Sequence, residues 1–471
     1  MAMALVTSLA AVAGAQTPAA QMRVGAEAQE DLAITVYNNN YGLVREVRRM
    51  TLPIGEIELE FSDVAEKIDP TSVAFKSLDA PDRIGILEQN YRYDLLNPST
   101  LLDKYVGREI KLTRLVRDSD GADRAVTVSG TLLSTNGGRI VRVGDEILIN
   151  PPGEIVLAEV PEDLVANPTL VWRLANQSAE PQRVETSYLT NDMSWKADYV
   201  AVVNSDDSAL DWTGWVTLDN RSGTTYRNAR LKLVAGDVQR IQPPQPRAVR
   251  GRVEMLAMAE AQFTEESFFE YHLYTLERRA TIAHNETKQM TLLEGTGVGA
   301  VKRYVLESGA GFIGPRGGGQ TNQVKLAVKL EFVNARSNGL GVPLPKGRVR
   351  VYKADSDRAL QLIGEDQIDH TPRDEKVRLK LGEAFDVVGE RAQTDFRQLS
   401  DRRTESSYVI TIRNHKSEAI SATVVERAYG DWIIRNESQP SVKRDSTTFE
   451  YTVPVAANGE ATVSYTIQIG N

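Results

Sequence analysis

The sequence predicts an all-β protein, with several antiparallel β-sandwich or barrel units in series and few short helices. Three observations predict it. Apolar and polar residues alternate with period two along run after run, as in strands with one face on a core and one in water. Turn-forming pairs separate the runs, at Asn338-Gly339, Asn458-Gly459, Gly137-Gly138 and Asp120-Gly121, where hairpins need residues that tolerate positive φ. Helical periodicity is scarce.

Taken in order, the elements begin with Ile57, Leu59 and Phe61, which alternate with Glu56, Glu58 and Glu60. Val324, Leu326, Val328, Leu330 and Phe332 alternate with Lys325, Lys329 and Glu331. Val377, Leu379 and Leu381 do so with Arg378 and Lys380, and Ala461, Val463, Tyr465, Ile467 and Ile469 with Thr462, Ser464, Thr466 and Gln468. Antiparallel sheets with one wet face follow from such patterns, closed as sandwiches or small barrels. The best helical candidate is Glu254 to Phe269, after the Pro-rich stretch 243–246.

The chain of 471 residues has room for about three domains. The alternation divides it more finely. Residues 1–15 read as a signal peptide and 16–30 as a flexible N-terminus. An N-terminal β module covers 31–99, and a small β-barrel-like module 100–155. A main β-sandwich covers 156–395, with long loops at 239–265 and 309–323. A polar stretch at 395–403 reads as a hinge before a C-terminal immunoglobulin-like β-sandwich at 404–471.

Export is the expectation from the N-terminus. Residues 1–22 carry no charge, Ala4 to Val12 is apolar, and small residues at Ala13 and Ala15 suit cleavage before Gln16. A signal peptide usually starts with Lys or Arg, which Met1-Ala2-Met3 lacks; a start a few residues upstream would supply it. The apolar run is too short to fill a bilayer core, which takes about 20 residues, so no transmembrane segment is expected. The chain has no cysteine, which excludes a bacterial lipoprotein anchor, disulfides, thiol nucleophiles and Cys-based metal sites. The expected location is periplasmic or secreted. A net charge of −9 argues against a nucleic-acid coat, because phosphate neutralisation needs a basic surface.

From Ser187 onward a family pattern emerges. Tyr188-Leu189-Thr190, Met193-Ser194-Trp195-Lys196-Ala197-Asp198-Tyr199, Trp212-Thr213-Gly214-Trp215 and Ala229 through Asp237 occur in order. Tyr271-His272-Leu273-Tyr274, Glu286-Thr287-Lys288-Gln289 and Val342-Pro343-Leu344-Pro345-Lys346-Gly347 through Tyr352 follow. Together they resemble exported bacterial proteins of unknown function related to the mucoidy-inhibitor A-like group, over roughly 184–471. The resemblance implies a β-rich extracytoplasmic protein associated with the cell envelope or exopolysaccharide, and supplies no catalytic residues. Many members of that group carry a coiled-coil insertion, but residues 100–155 show no sustained heptads.

Candidate sites are sparse. Trp195, Tyr199, Trp212 and Trp215 cluster within a short stretch, and exposed aromatic faces stack on sugars or fill partner pockets. The competing reading is a sandwich core. Trp212 and Trp215 are three apart, so on one strand they face opposite sides. Four histidines, His272, His284, His370 and His415, match no zinc spacing. Asp206-Asp207, Glu365-Asp366 and Asp369 are the carboxylates from which a glycosidase-like pair would be drawn. Asp118 and Asp120 resemble only the start of a calcium loop. Gly295, Gly297 and Gly299 match no nucleotide-binding fingerprint and read as a loop, as does the basic run Arg247, Arg250 and Arg252. No catalytic residue, cofactor or metal is expected. The sequence favours a non-enzymatic binding or scaffold module with an envelope glycan or protein as partner; the alternative is a carboxylate-dependent hydrolase of envelope polysaccharide or peptide.

Overall fold

A computed structural model describes residues 20–117, 123–161, 164–236, 238–239, 262–307 and 321–470. The signal peptide, the Asp118/Asp120 pair, the basic run and most of both long loops lie outside the described residues. The fold is all-β. Among the described residues the one α-helix is Pro98–Lys104, closed at its N-terminus by the Asn97 side chain and Thr100.

Alternation becomes burial throughout. Ile57, Leu59 and Phe61 are fully buried, while Glu56, Glu58 and Glu60 on the other face pair with Arg173 and Arg92 of flanking strands. The strand Gly55–Ser62 lies in a four-stranded sheet with Ala20–Val24, Thr169–Asn176 and Ile84–Arg92. This sheet packs on an eight-stranded one that includes Gln29–Tyr37, Tyr41–Met50, Gln182–Asn191 and Tyr226–Ala235. Trp172 joins the faces, 5.7 Å from the Phe61 ring and 4.9 Å from Phe75. The N-terminal unit expected over 31–99 is therefore not closed on itself. It is completed by strands from 169–191 and 226–276, because a sandwich face needs more apolar strand than residues 31–99 supply.

Residues 109–156 form a separate five-stranded sheet with a small core of Tyr105, Ile110, Leu112, Leu132 and Val141. Its two connecting legs lie side by side, bridged at Leu95 and Val165.

The remaining strands make one thirteen-stranded sheet. It starts with Leu360–Ile368, Gly347–Ala354, Met193–Val203, Ala209–Asn220, Glu286–Glu307, Thr321–Val333 and Lys376–Ser400. These seven curl until the first meets the last. There the Asp366 carboxylate accepts the Lys380 N–H at 2.6 Å, and a Cβ on Gly364 would lie 2.6 Å from the Leu381 carbonyl oxygen. The result is a barrel filled by Trp195, Tyr199, Trp212, Leu330, Phe332, Leu379 and their neighbours. The sheet then continues through Arg403–Asn414, Gly459–Gly470 and Asp431–Glu437 into a C-terminal sandwich, whose second layer contains Ile420–Arg427 and Thr448–Val455. In its core Arg391 lies over the Tyr408 ring and grips Glu426 with two hydrogen bonds of 3.0 and 3.1 Å.

Three strands belong to both cores. Glu286–Glu307 contributes Val298 and Ala300 to the barrel, then Tyr304 and Leu306 to the sandwich. Thr321–Val333 gives Leu330 and Phe332 to the first and Leu326 to the second, and Lys376–Ser400 gives Leu379 and Val387 likewise. The register between the last two jumps from Lys325↔Val388 to Ala327↔Glu383. This bulge turns the strand from one core toward the other.

Three local expectations are corrected. The polar stretch 395–403 is no hinge: it is the end of Lys376–Ser400 and a tight turn into Arg403–Asn414, with the two strands paired to Ser400↔Arg403. Residues 263–268, the end of the helical candidate, form an edge strand against Tyr271–Leu276. Gly295, Gly297 and Gly299 lie inside Glu286–Glu307, where a bulge against Ala209–Asn220 gives Gly297 a φ of +62° and brings the 338–341 turn close over Gly295.

Candidate functional site

The four aromatic residues singled out from the sequence divide by face. Trp195, Tyr199 and Trp212 are core residues and present no surface. The Trp195 indole N–H donates to the Val234 carbonyl at 3.1 Å, and the Tyr199 hydroxyl donates to the Pro345 carbonyl at 2.7 Å. Trp212 packs between Tyr199 and Phe332, at 5.0 and 5.1 Å. Strand alternation from Trp195 to Tyr199 puts both inward, as the core reading had it. Trp215 faces the other side of its strand and is half-buried, so of the four it is the residue left with an accessible edge.

The barrel has two distinct ends. At one, the Val342-Pro343-Leu344-Pro345 segment is clasped by side chains. Tyr274 donates to the Pro343 carbonyl at 2.9 Å, and the Asn334 amide donates to the Val342 carbonyl at 2.7 Å while accepting from the Gly341 N–H at 3.1 Å. Parallel pairing then runs from Ala197↔Gly347 to Val203↔Lys353, so Lys353 stands at the opposite end.

There the barrel opens into a cavity of about 230 Å³. Its apolar wall is Val203, Val328, Leu330, Ile363 and Leu381, and Gly382 and Glu383 complete the rim. Its polar side is a lysine–aspartate–lysine ladder. Asp207 sits in the turn after Met193–Val203, at a φ of +61°, a conformation that Asp tolerates better than most residues. The Asn204 carboxamide oxygen holds that turn, accepting from the Ser208 and Ala209 N–H groups at 3.0 and 3.1 Å. The Asp207 carboxylate so placed accepts from Lys302 through one oxygen and from Lys353 through the other, the latter at 2.5 Å. Lys353 also donates to the Ser205 carbonyl at 2.9 Å. Beyond Lys302, Lys416 of the sandwich donates to the Tyr304 hydroxyl at 3.1 Å and pairs with Glu418.

Electrostatics fix the charge state of the ladder. Burial pushes the Asp207 carboxyl up, but hydrogen bonds and charge from Lys302 and Lys353 outweigh it and hold the group below the usual carboxylate range. Burial likewise presses Lys302 down, and Asp207 together with Tyr304 more than offsets it, leaving the ammonium above its ordinary value. At neutral pH Asp207 and Lys302 carry fixed charges, which suits holding an ion better than shuttling a proton.

Of the other carboxylates considered for catalysis, Asp206 accepts from the Ser208 hydroxyl at 2.9 Å. Glu365 pairs with Arg350 at 3.1 Å, and Asp366 seals the barrel seam. At Asp369 it is the backbone carbonyl that accepts from the Thr371 hydroxyl, at 2.8 Å. Among the histidines, His272 contacts Glu265 at 2.8 Å. His284 and His370 accept from the backbone N–H groups of Gly223 and Lys346. Among the described residues no three His, Asp or Glu side chains gather as metal ligands. Sequence reasoning named Asp207 without its partners. Lys302 and Lys353 lie 95 and 146 residues away, and only the barrel topology brings them together.

Fold and site together define a class of β protein in which a barrel with a charged mouth and a sandwich are built on shared strands. The chain belongs to the family of the domain of unknown function DUF4139, whose model matches residues 184–470, the stretch that holds the whole barrel and sandwich. No curated protein matches the chain.

Proposed function

We propose that the protein is an exported component of the bacterial cell envelope that works as a rigid binding or scaffold module and holds a glycan or protein partner without chemistry. One observation carries this reading: three strands run uninterrupted from the barrel core to the sandwich core. A joint made of continuous hydrogen-bonded strands resists bending far better than a linker does. The fixed-charge ladder at the barrel mouth also suits binding. The ordered motifs from Tyr188 to Tyr352 support a place beside the mucoidy-inhibitor A-like group, and we read the C-terminal sandwich as immunoglobulin-like. The uncharged N-terminal stretch supports cleavage before Gln16 and a periplasmic or secreted location.

Cell fractionation with N-terminal sequencing, followed by capture of envelope extract on the purified mature protein, tests this reading. The expected result is a chain starting at Gln16 in the periplasm or medium that retains an envelope glycan or protein. A chain in the cytosol with residues 1–15 intact, or one that retains no envelope component, would overturn it.

A further inference from the structure

The barrel mouth has the build of a ligand site. Its wall is hydrocarbon from four strands, and its polar side carries two ammonium groups that share one carboxylate. Donor accounting leaves room for a second anion. An ammonium has three N–H donors; Lys353 uses two, on Asp207 and the Ser205 carbonyl, and Lys302 uses one on Asp207. Three N–H groups of these two lysines thus remain for another acceptor. Glu383 on the rim lies beside Lys325, at 3.8 Å.

Size narrows the ligand. At about 230 Å³ the cavity lies below the range of drug-sized ligand pockets, which starts at about 300 Å³, so it takes a small molecule. An apolar wall ending in lysines fits a molecule with a hydrocarbon body and one anionic end. We infer that the barrel mouth binds a short apolar carboxylate, with the carboxylate bridging Lys302 and Lys353 beside Asp207 and the hydrocarbon against Val328, Leu330 and Ile363. Free short-chain acids and the terminal carboxylate of a peptide with an apolar last residue share this chemistry. The inference goes beyond the scaffold reading and does not depend on it.

Calorimetric titration of the full chain with hexanoate, which has about eight heavy atoms, tests it, with N-acetylleucine standing for a peptide terminus. One saturable site per chain is expected, with a Kd of about a millimolar, the range a ligand this small can reach. Tighter binding of N-acetylleucine than of hexanoate would identify a peptide end as the natural occupant, and the reverse order a free acid. Asp207→Asn removes the competing charge and should tighten binding about threefold; Lys353→Gln and Lys302→Gln should each weaken it about tenfold. Hexanol, which lacks the charge, and inorganic phosphate, which lacks the hydrocarbon, should bind far more weakly. Methyl resonances of Ile363 and Leu330 in the unmodified chain should shift with hexanoate, a readout that needs no variant. The inference fails if hexanoate gives no saturable signal, if hexanol or phosphate binds as well, or if those methyl resonances stay in place.

Discussion

Asp207 illustrates how much one side chain can organise. Its carboxylate ties the turn after Met193–Val203 to the strands Glu286–Glu307 and Gly347–Ala354 through two lysines. Its position below the ordinary 3.8 means that the folded state favours the ionised form. The stability this adds is present above the unfolded value and is lost as pH falls through the folded one. Lys302 lies above its ordinary 10.5, so its contribution is present below that value and is lost only as pH rises through the folded one. Thermal melts of the native chain and Asp207→Asn should therefore differ by a constant amount from about pH 5 to 8 and converge below about pH 4. A difference that persists undiminished at the acid end would show that the charge is not what stabilises the turn.

At the scale of elements, close approaches between strands set the barrel. Gly347 opens its strand against Met193–Val203, and a Cβ there would lie 2.3 Å from the Ala197 carbonyl oxygen and 2.9 Å from the Tyr199 ring. Gly347→Val must push the strands apart or displace Tyr199 from the Pro345 carbonyl. A loss of about 2 kcal/mol is expected in denaturant unfolding, and an unchanged midpoint would refute the close-packing account. This level of structure was partly legible beforehand. The alternation of Val324 to Phe332 and of Ala461 to Ile469 announced the strands, because a half-buried strand has to alternate. The same pattern says nothing about which core a residue joins, and Leu326 and Leu330 on one strand enter different cores. Trp195 and Tyr199 were candidates for a surface because aromatic rings serve both as core and as binding faces. Their inward register depends on which side of the strand the barrel closes, which no local pattern encodes. The ladder at the mouth was illegible for a related reason: its members lie on three separated segments.

Across the whole molecule, packing is uneven. The barrel and the C-terminal sandwich share strands, whereas the sheet of residues 109–156 rests on a core of five buried residues and hangs on two legs tied at Leu95 and Val165. Local opening is easiest where few apolar contacts must break. Hydrogen exchange should therefore label peptides from 109–156 at least about tenfold faster than peptides from 459–470, and equal protection would mean that the small sheet is bound into the same cooperative unit. The order of strands also has a mechanical side. Gly459–Gly470 runs between Arg403–Asn414 and Asp431–Glu437 and is bonded along both edges. Ala20–Val24 is held along one edge by five residue pairs with Gly55–Ser62. Tension drawn between residues 20 and 470 would therefore peel the first strand away while the last stayed seated, so the fold has a weak end and a strong one under load.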